Sequence, residues 1–574
     1  MAFSRLARNI PVATSVALLL SACGGGGGGS SGGTSPPAAN RAPVIANANG
    51  DQFAILGMPY DFDPTQAGRL FRDPDGDALT YQVTLDLAPV GLALSGMHIV
   101  GTPTDACNCG VTVTATDGRG GSISDHFILQ VKNNTAPEAA HPNANLVVSA
   151  GTGIDYDATQ GGTTFRDPEN QPLTYNVTIL SAPPGFTVQG TRVVGTLSAP
   201  GFAKVKIEAR DSLGAVKEDS FAFVVPSPIS TRPTLPVQSF VYEDNLLPLN
   251  NAFSITPDGR LDWSDTLPVD NLITNGGATL GRVLFYDKRL SITNTHSCGS
   301  CHEQAHGFAS SERFPTGAVG VPTRRSPMAL GNVRFNSENR HFADERAGRL
   351  ESLTSMPIED RDELGNTMVA VVQKLSSVDY YPPLFQSAFG SPEITSERIS
   401  RALAQFLRTL ITYQSKMDRA FYPSDPGAPP DPTHSLTGQE ERGFQVFIEG
   451  QCFHCHMTRT FASPWPANNG LDAEVTDPGT AAGVGEFRVA SLRNIAVTGP
   501  YMHDGRFATL REVIEHYSTG LKMSPNLHII LGGLRPEPFF RNFSDDDKDA
   551  LEAFFNTMTD DVFLSDPKFS DPFQ

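Results

Sequence analysis

The chain reads as two β-sandwich repeats in tandem followed by a mainly helical region built from two similar halves. Three observations predict this. A block of sequence in the N-terminal third recurs at an offset of 94 residues. Beyond a proline-rich stretch, "PSPISTRPTLP", the apolar pattern changes from short alternating runs to helical spacing. Two Cys-x-x-Cys-His motifs then lie on either side of a second break, "PSDPGAPPDPTHS".

The 574 residues allow three to five domains, each large enough for its own core. The net charge of −19 argues against nucleic acid as a partner. The N-terminus carries Arg5 and Arg8, then the apolar run "PVATSVALLL", which is too short to span a bilayer as a permanent helix. Leu20-Ser21-Ala22-Cys23 resembles a bacterial lipobox. That implies a signal peptide over 1–22, cleavage before Cys23 and lipidation of its thiol; ordinary signal-peptide cleavage is the alternative. Gly24 rather than Asp follows the cysteine, which under the sorting rule of that class implies an outer-membrane lipid anchor. The Gly/Ser/Pro-rich segment 23–42 is a flexible tether.

"FRDPDGDALTYQVT" (71–84) matches "FRDPENQPLTYNVT" (165–178), and "ATDGRG" at 115 matches "ARDSLG" at 209. Runs such as "VTVTATD" and "AKVKIEARD", separated by Gly, Pro and Asp turns, predict sandwich strands in repeats over 43–132 and 137–226. The units resemble the cadherin-like and immunoglobulin-like repeats of bacterial surface proteins, and read as spacers or adhesion modules. Asp73, Asp75 and Asp77, with Asp117, are candidate calcium ligands; an acidic turn is the alternative. Cys107 and Cys109 form either a local disulfide or two free thiols.

A linker over 227–262 leads to the first helical half, 263–422, and the second follows over 435–565. In "RISRALAQFLRTLITY" the residues Ile399, Leu403, Phe406, Leu407 and Leu410 share one face. "CGSCH" (298–302) and "CFHCH" (452–456) have the spacing for covalent haem: two thiols one turn apart add to the vinyl groups, and the next histidine becomes the proximal ligand. A single four-thiolate zinc site would leave His302 and His456 unexplained.

With these motifs, "LFYDKRLS" (284–291), "FADERAGRLESLTSMPIEDRDELG" (342–365), "LTGQEERGFQVF" (436–447) and "LRNIAVTGPYMHDGRFATLREVIEHY" (492–517) make the region from about 270 to 565 resemble the bacterial dihaem cytochrome c peroxidase and MauG family. The resemblance implies two c-type haems. The N-terminal one, on Cys298, Cys301 and His302, is the expected peroxide site, with Glu363 as its acid–base carboxyl. The C-terminal one, on Cys452, Cys455 and His456, is the expected electron-transfer haem. Thr498 and Pro500 align with backbone ligands of a calcium ion between the haems.

The sequence departs from the family pattern at four positions. Ala318 stands where reductively activated peroxidases carry a second histidine, so the first haem is expected to be open at rest. Ala343 replaces the usual interhaem Trp, Leu353 a glutamine, and Arg325 the Asn that assists calcium. His306 is expected to serve packing or the surface.

The last element of interest is "TLREVIEHYSTG", a helix opening on a Thr509/Glu512 capping box and stopping near Gly520. Tyr517 occupies the place of the peroxidases' methionine ligand, where MauG-type proteins carry tyrosine, so it is the expected sixth ligand. His516, Met502, Met457 and Met523 are the alternatives. Three functions follow: a peroxidase fed by a small cytochrome c or cupredoxin; a MauG-like oxidant of aromatic residues on a partner protein; or a non-enzymatic surface electron-transfer or adhesion protein. Relatives also form homodimers.

Overall fold

The computed structural model describes residues 39–242, 266–421 and 435–574, apart from 337, 457 and 459. Cys23 and Met457 lie outside the described residues. The chain forms two compact units that divide between Asn134 and Thr135. The second sandwich therefore belongs to the same unit as the helical region.

Each repeat folds as expected. In the first, a four-stranded sheet runs in the order Gln52–Ile55, Ser122–Lys132, Cys107–Thr116, Thr80–Leu85, facing a three-stranded one of Tyr60–Phe62, His98–Gly101 and Leu92–Ser95. The second repeats this order with Leu146–Val147, Val216–Val225, Gly201–Arg210 and Thr174–Ser181, against Gly153–Asp157, Arg192–Thr196 and Thr187–Gln189. Alternate residues (Val111, Val113, Ala115 in one; Val205, Ile207, Ala209 in the other) fill each core, as period-2 patterning requires. Cys107 and Cys109 are joined as a disulfide, which settles the alternative left by their spacing.

The helical region contains α1 (Asn275–Tyr286), α2 (Leu350–Glu359), α3 (Met368–Ser376), α4 (Tyr381–Phe389), α5 (Ser396–Thr409), α6 (Lys416–Phe421), α7 (Gly438–Glu449), α8 (Leu510–Glu515), α9 (Asp545–Asn556) and α10 (Asp561–Ser565). Its first core joins Leu280, Val283 and Leu284 of α1 to Ile399, Leu403, Phe406 and Leu407 of α5. Backbones approach closely there because Gly281 faces Ala402; a Cβ would lie 2.0 Å from the Ala402 carbonyl oxygen. The second core joins Val446 and Phe447 of α7 to Leu551 and Phe554 of α9.

The tail departs from the expected boundaries. Phe563 of α10 and Phe569 beyond it are buried in the first core, not the second. Tyr242 and Tyr286 both donate their hydroxyls to tail carbonyls, of Lys568 and Phe569, at 2.8 Å. Apolar spacing alone does not say which of two similar cores a short helix joins.

Candidate functional site: two haem pockets

Both Cys-x-x-Cys-His motifs sit on single tight turns, Cys298–Ser300 and Cys452–His454, following α1 and α7 respectively. The turn brings each cysteine pair to one side and the histidine to the end. His302 Nδ1 donates to the Phe308 carbonyl and His456 Nδ1 to that of Phe461, both at 2.8 Å. Both acceptor residues have left-handed backbone, φ +63° and +54°, which turns the carbonyl back toward the ring. The bond fixes the tautomer and leaves Nε2 as the ligating nitrogen. Burial lowers the pKa of both rings, His456 to about 4, keeping them neutral as iron ligation requires.

Each motif opens on a cavity of suitable kind. The first, about 640 Å³, is lined by Cys298, Cys301, His302, Leu353, Pro357 and Glu363 among others. The second, about 300 Å³, is lined by Cys452, Cys455, His456, Tyr517 and Arg541 with apolar neighbours. Paired thiols, a fixed neutral imidazole and an apolar slot fit covalent haem in both places. Among the described residues the four thiols form no common metal-binding cluster.

Glu363 lies on the loop between α2 and α3. Burial raises its pKa to about 7; Asp360 and Asp362 push the same way, against Arg346 and Arg324. Ala318 is buried but does not line the cavity; it packs with Val319, Ile292 and the second sandwich's Ala222 and Val224. His306 hydrogen-bonds the Val497 carbonyl at 3.0 Å.

Ala343 lines both cavities, as do Ser326, Met328, Arg488 and Ala490; no aromatic side chain is common to the two walls among the described residues. Phe342 lines only the first cavity and Phe487 only the second. Arg325 Nε and Nη2 donate to Asp477 at 2.8 and 2.7 Å, and its Nη1 to Asp344 at 2.5 Å. The guanidinium lies over Phe487, which stacks on His503.

Thr498 and Pro500 line the second cavity beside Ser326. Arg325, at the position of the expected asparagine, offers a permanently charged guanidinium in place of a side-chain oxygen, which weighs against an interhaem calcium ion. Treating the holoprotein with EDTA is expected to leave its haem spectra and peroxide rate within twofold. A collapse of either, restored by calcium, would show a bound ion after all. Asp73, Asp75 and Asp77 do cluster, with ligand atoms within 4.8 Å. Arg41 pairs with Asp75 and Arg119 with Asp77.

Thr509 caps α8 and Glu512 closes the capping box. The α-helix ends at Glu515, however, and His516–Gly520 forms one wider π-turn. Such turns insert an extra residue and re-aim side chains. Tyr517 is half-buried, packs with Leu521, Leu527 and Leu531, and lines the second cavity with Leu510, Val513 and Ile514. Burial raises its hydroxyl pKa to about 12, while Asn469 and Arg541 pull the other way. His516 donates Nε2 to the Asn469 carbonyl at 3.0 Å, and Met502 Sδ accepts from Asn469 Nδ2 at 3.4 Å. Met523 packs with the leucines.

Sequence reasoning missed Arg488, Arg541, the Asp344 and Asp477 partners of Arg325, and the loop anchors Arg361 and Asp362. A buried arginine has no periodic signature. The loop anchors' sandwich partners Asn145 and Lys204 did leave a signal, since the first repeat has Asp51 and Gly110 at the equivalent positions.

The fold and the paired sites define a covalently bound two-haem c-type cytochrome preceded by β-sandwich modules. A family model described as di-haem cytochrome c peroxidase matches residues 275–425, and an Ig-domain model matches 42–132. The methylamine utilization protein MauG of Methylorubrum extorquens is 33% identical over 301 residues, covering 51% of this chain and 80% of that one. The cytochrome c551 peroxidase of Nitrosomonas europaea is 30% identical over 295 residues, covering 50% and 80%. A solved MauG-like protein associated with microbial copper homeostasis is 28% identical at a TM-score of 0.48, covering 56% of this chain and 98% of that one. The chain belongs to the dihaem cytochrome c peroxidase/MauG family: it is a peroxidase-type oxidoreductase with two c-type haems.

Proposed function

We propose that peroxide is reduced in the first pocket and that the second pocket passes it electrons, in the overall conversion of H2O2, two protons and two electrons to two waters. The covalently bound haems supply the iron that exchanges those electrons. Glu363 takes the proton from the attacking peroxide oxygen and returns it to the leaving one. Phe308 holds the His302 ring, and the apolar wall around Leu353 and Leu364 limits water.

The observation that carries this reading is Glu363: a half-buried carboxyl, its pKa raised to about 7, on the wall of the same cavity as Cys298, Cys301 and His302. Ala318, off that wall, supports a first site open at rest.

Tyr517 supports a MauG-like second reading, in which oxidising equivalents pass to aromatic side chains of a partner protein. It lines the second cavity while His516 and Met502 are engaged with Asn469. The lack of a shared aromatic wall at Ala343 weighs the other way. The electron donor in the first reading is a small cytochrome c or cupredoxin, and the lipid anchor at Cys23 belongs to both readings.

Mixing the ferric protein with peroxide, with and without reduced cytochrome c, separates them. Rapid catalytic oxidation of the cytochrome is the peroxidase result. A long-lived oxidised spectrum without turnover is the MauG-like result. No spectral change would falsify both.

A further inference from the structure

The two sandwiches are an internal control for each other, because residues 94 apart are equivalent. In both, an aspartate of the last strand accepts from an asparagine backbone: Asp125 from Asn49 at 2.9 Å, Asp219 from Asn143 at 2.7 Å. In both, the next residue but one accepts from that strand: Asp51 from Ile128 N at 2.9 Å, Asn145 from Ala222 N at 2.8 Å. The scaffold is shared; the outer face is not. The first repeat carries Asn108, Gly110, Ile128 and Gln130 there, with Ile128 37% exposed. The second carries Phe202, Lys204, Ala222 and Val224, with Lys204 at 3% and the last two at 0%. The alternation of the last strand is lost, and Phe221 through Val225 are all buried, as happens when both faces of a sheet are covered.

What covers this face is the peroxide side of the helical region. Phe202 lies so close to Gly320, at φ +76°, that a Cβ there would be 2.8 Å from its ring. Arg361 donates to Asp219 at 2.6 Å and to the Asn143 carbonyl at 2.7 Å. Asn145 Nδ2 donates to the carbonyls of Arg361 and Gly365 at 3.3 and 3.4 Å, which the aspartate of the first repeat cannot do. Lys204 Nζ lies 3.5 Å from Asp362. The residues flanking Glu363 are thus anchored on both sides. Its own carbonyl accepts from Ala318 N at 2.7 Å, and Ala318 packs on the same sandwich face.

We propose that the second β-sandwich is a working part of the peroxide site: through Asn145, Lys204 and Asp219 it clamps the 360–365 loop and holds the Glu363 carboxyl in place. Asn145, Lys204 and Asp219 are positioning residues, acting through Arg361, Asp362 and Gly365. The proposal rests on the role given to Glu363. Displacing a proton-transfer group by about 1 Å can cost about 100-fold in rate.

The test compares the holoprotein with Asn145→Asp/Lys204→Met; the first change installs the residue that the first repeat already tolerates. Amide hydrogen exchange in 360–366 of the resting protein is expected to speed up about tenfold or more, while strand Gly201–Arg210 stays within twofold. The kcat with peroxide should fall about tenfold and the KM for reduced cytochrome c stay within twofold. Unchanged loop exchange overturns the clamp. Where the double variant loosens the sandwich itself, Phe202→Asn, again the first repeat's residue, decides on the same readouts. Glu363→Gln run in parallel keeps the two ideas apart. A loosened loop at full rate overturns the positioning role when Glu363→Gln is slow. When Glu363→Gln is also at full rate, it is the role of Glu363 that fails, and the faster exchange still supports the clamp.

Discussion

Glu363→Gln is expected to slow the reaction with peroxide by about 10²- to 10⁴-fold, the range that a positioned acid–base group supplies, while both haems still attach and absorb normally. The pH dependence follows from the raised pKa. To accept the first proton the carboxyl must be ionised, so the peroxide rate should rise with pH through about 7. The glutamine variant should lose that inflection. Stability carries the opposite sign. Below pH 4.5 the group is protonated in both folded and unfolded chains and contributes nothing; between 4.5 and about 7 the unfolded chain releases the proton while the folded one keeps it. Stability therefore falls with rising pH across that window, and Glu363→Gln should flatten the slope of Tm against pH there. A variant with the wild-type rate and the wild-type pH profile would remove Glu363 from the mechanism.

Tyr517→Met is expected to raise the reduction potential of the C-terminal haem by a few tenths of a volt, within the ~0.8 V over which axial ligands set haem potentials. Phenolate oxygen favours ferric iron, and thioether sulfur favours ferrous iron. The variant should gain turnover with reduced cytochrome c and lose any persistent oxidised state. Tyr517→Phe should instead convert the low-spin ferric signal of that haem to high spin. Burial raises the hydroxyl pKa to about 12, so the proposed iron ligation would have to supply the ionisation. An unchanged spin state in Tyr517→Phe would return the ligand to His516 or Met502.

The repeats, the two haem-binding turns and the α5 face were legible because each rests on local periodicity or fixed spacing. The capping box at Thr509 was legible for the same reason, since its partners are three residues apart. The π-turn after Glu515 was not, because "VIEHYSTG" satisfies a continuing α-helix equally well up to Gly520. The pairing of Arg325 with Asp344 and Asp477 joins residues 19 and 152 positions apart, and no local rule reaches that far. The sandwich face that meets the Glu363 loop left two traces in the sequence, the run "FAFVV" (221–225) and the lysine at the place of Gly110, neither of which a sandwich pattern alone assigns to a second dry face. Only the loss of alternation in Val216–Val225 shows that the sheet has two dry faces.

The burial of Phe563 and Phe569 in the first helical core ties its folding to sequence far from the first haem motif. These rings complete a core begun at α1, nearly 300 positions earlier. The first half cannot finish folding until α10 has docked. Until then the segment around Cys298 and Cys301 belongs to an unfinished domain, open to whatever machinery delivers its haem.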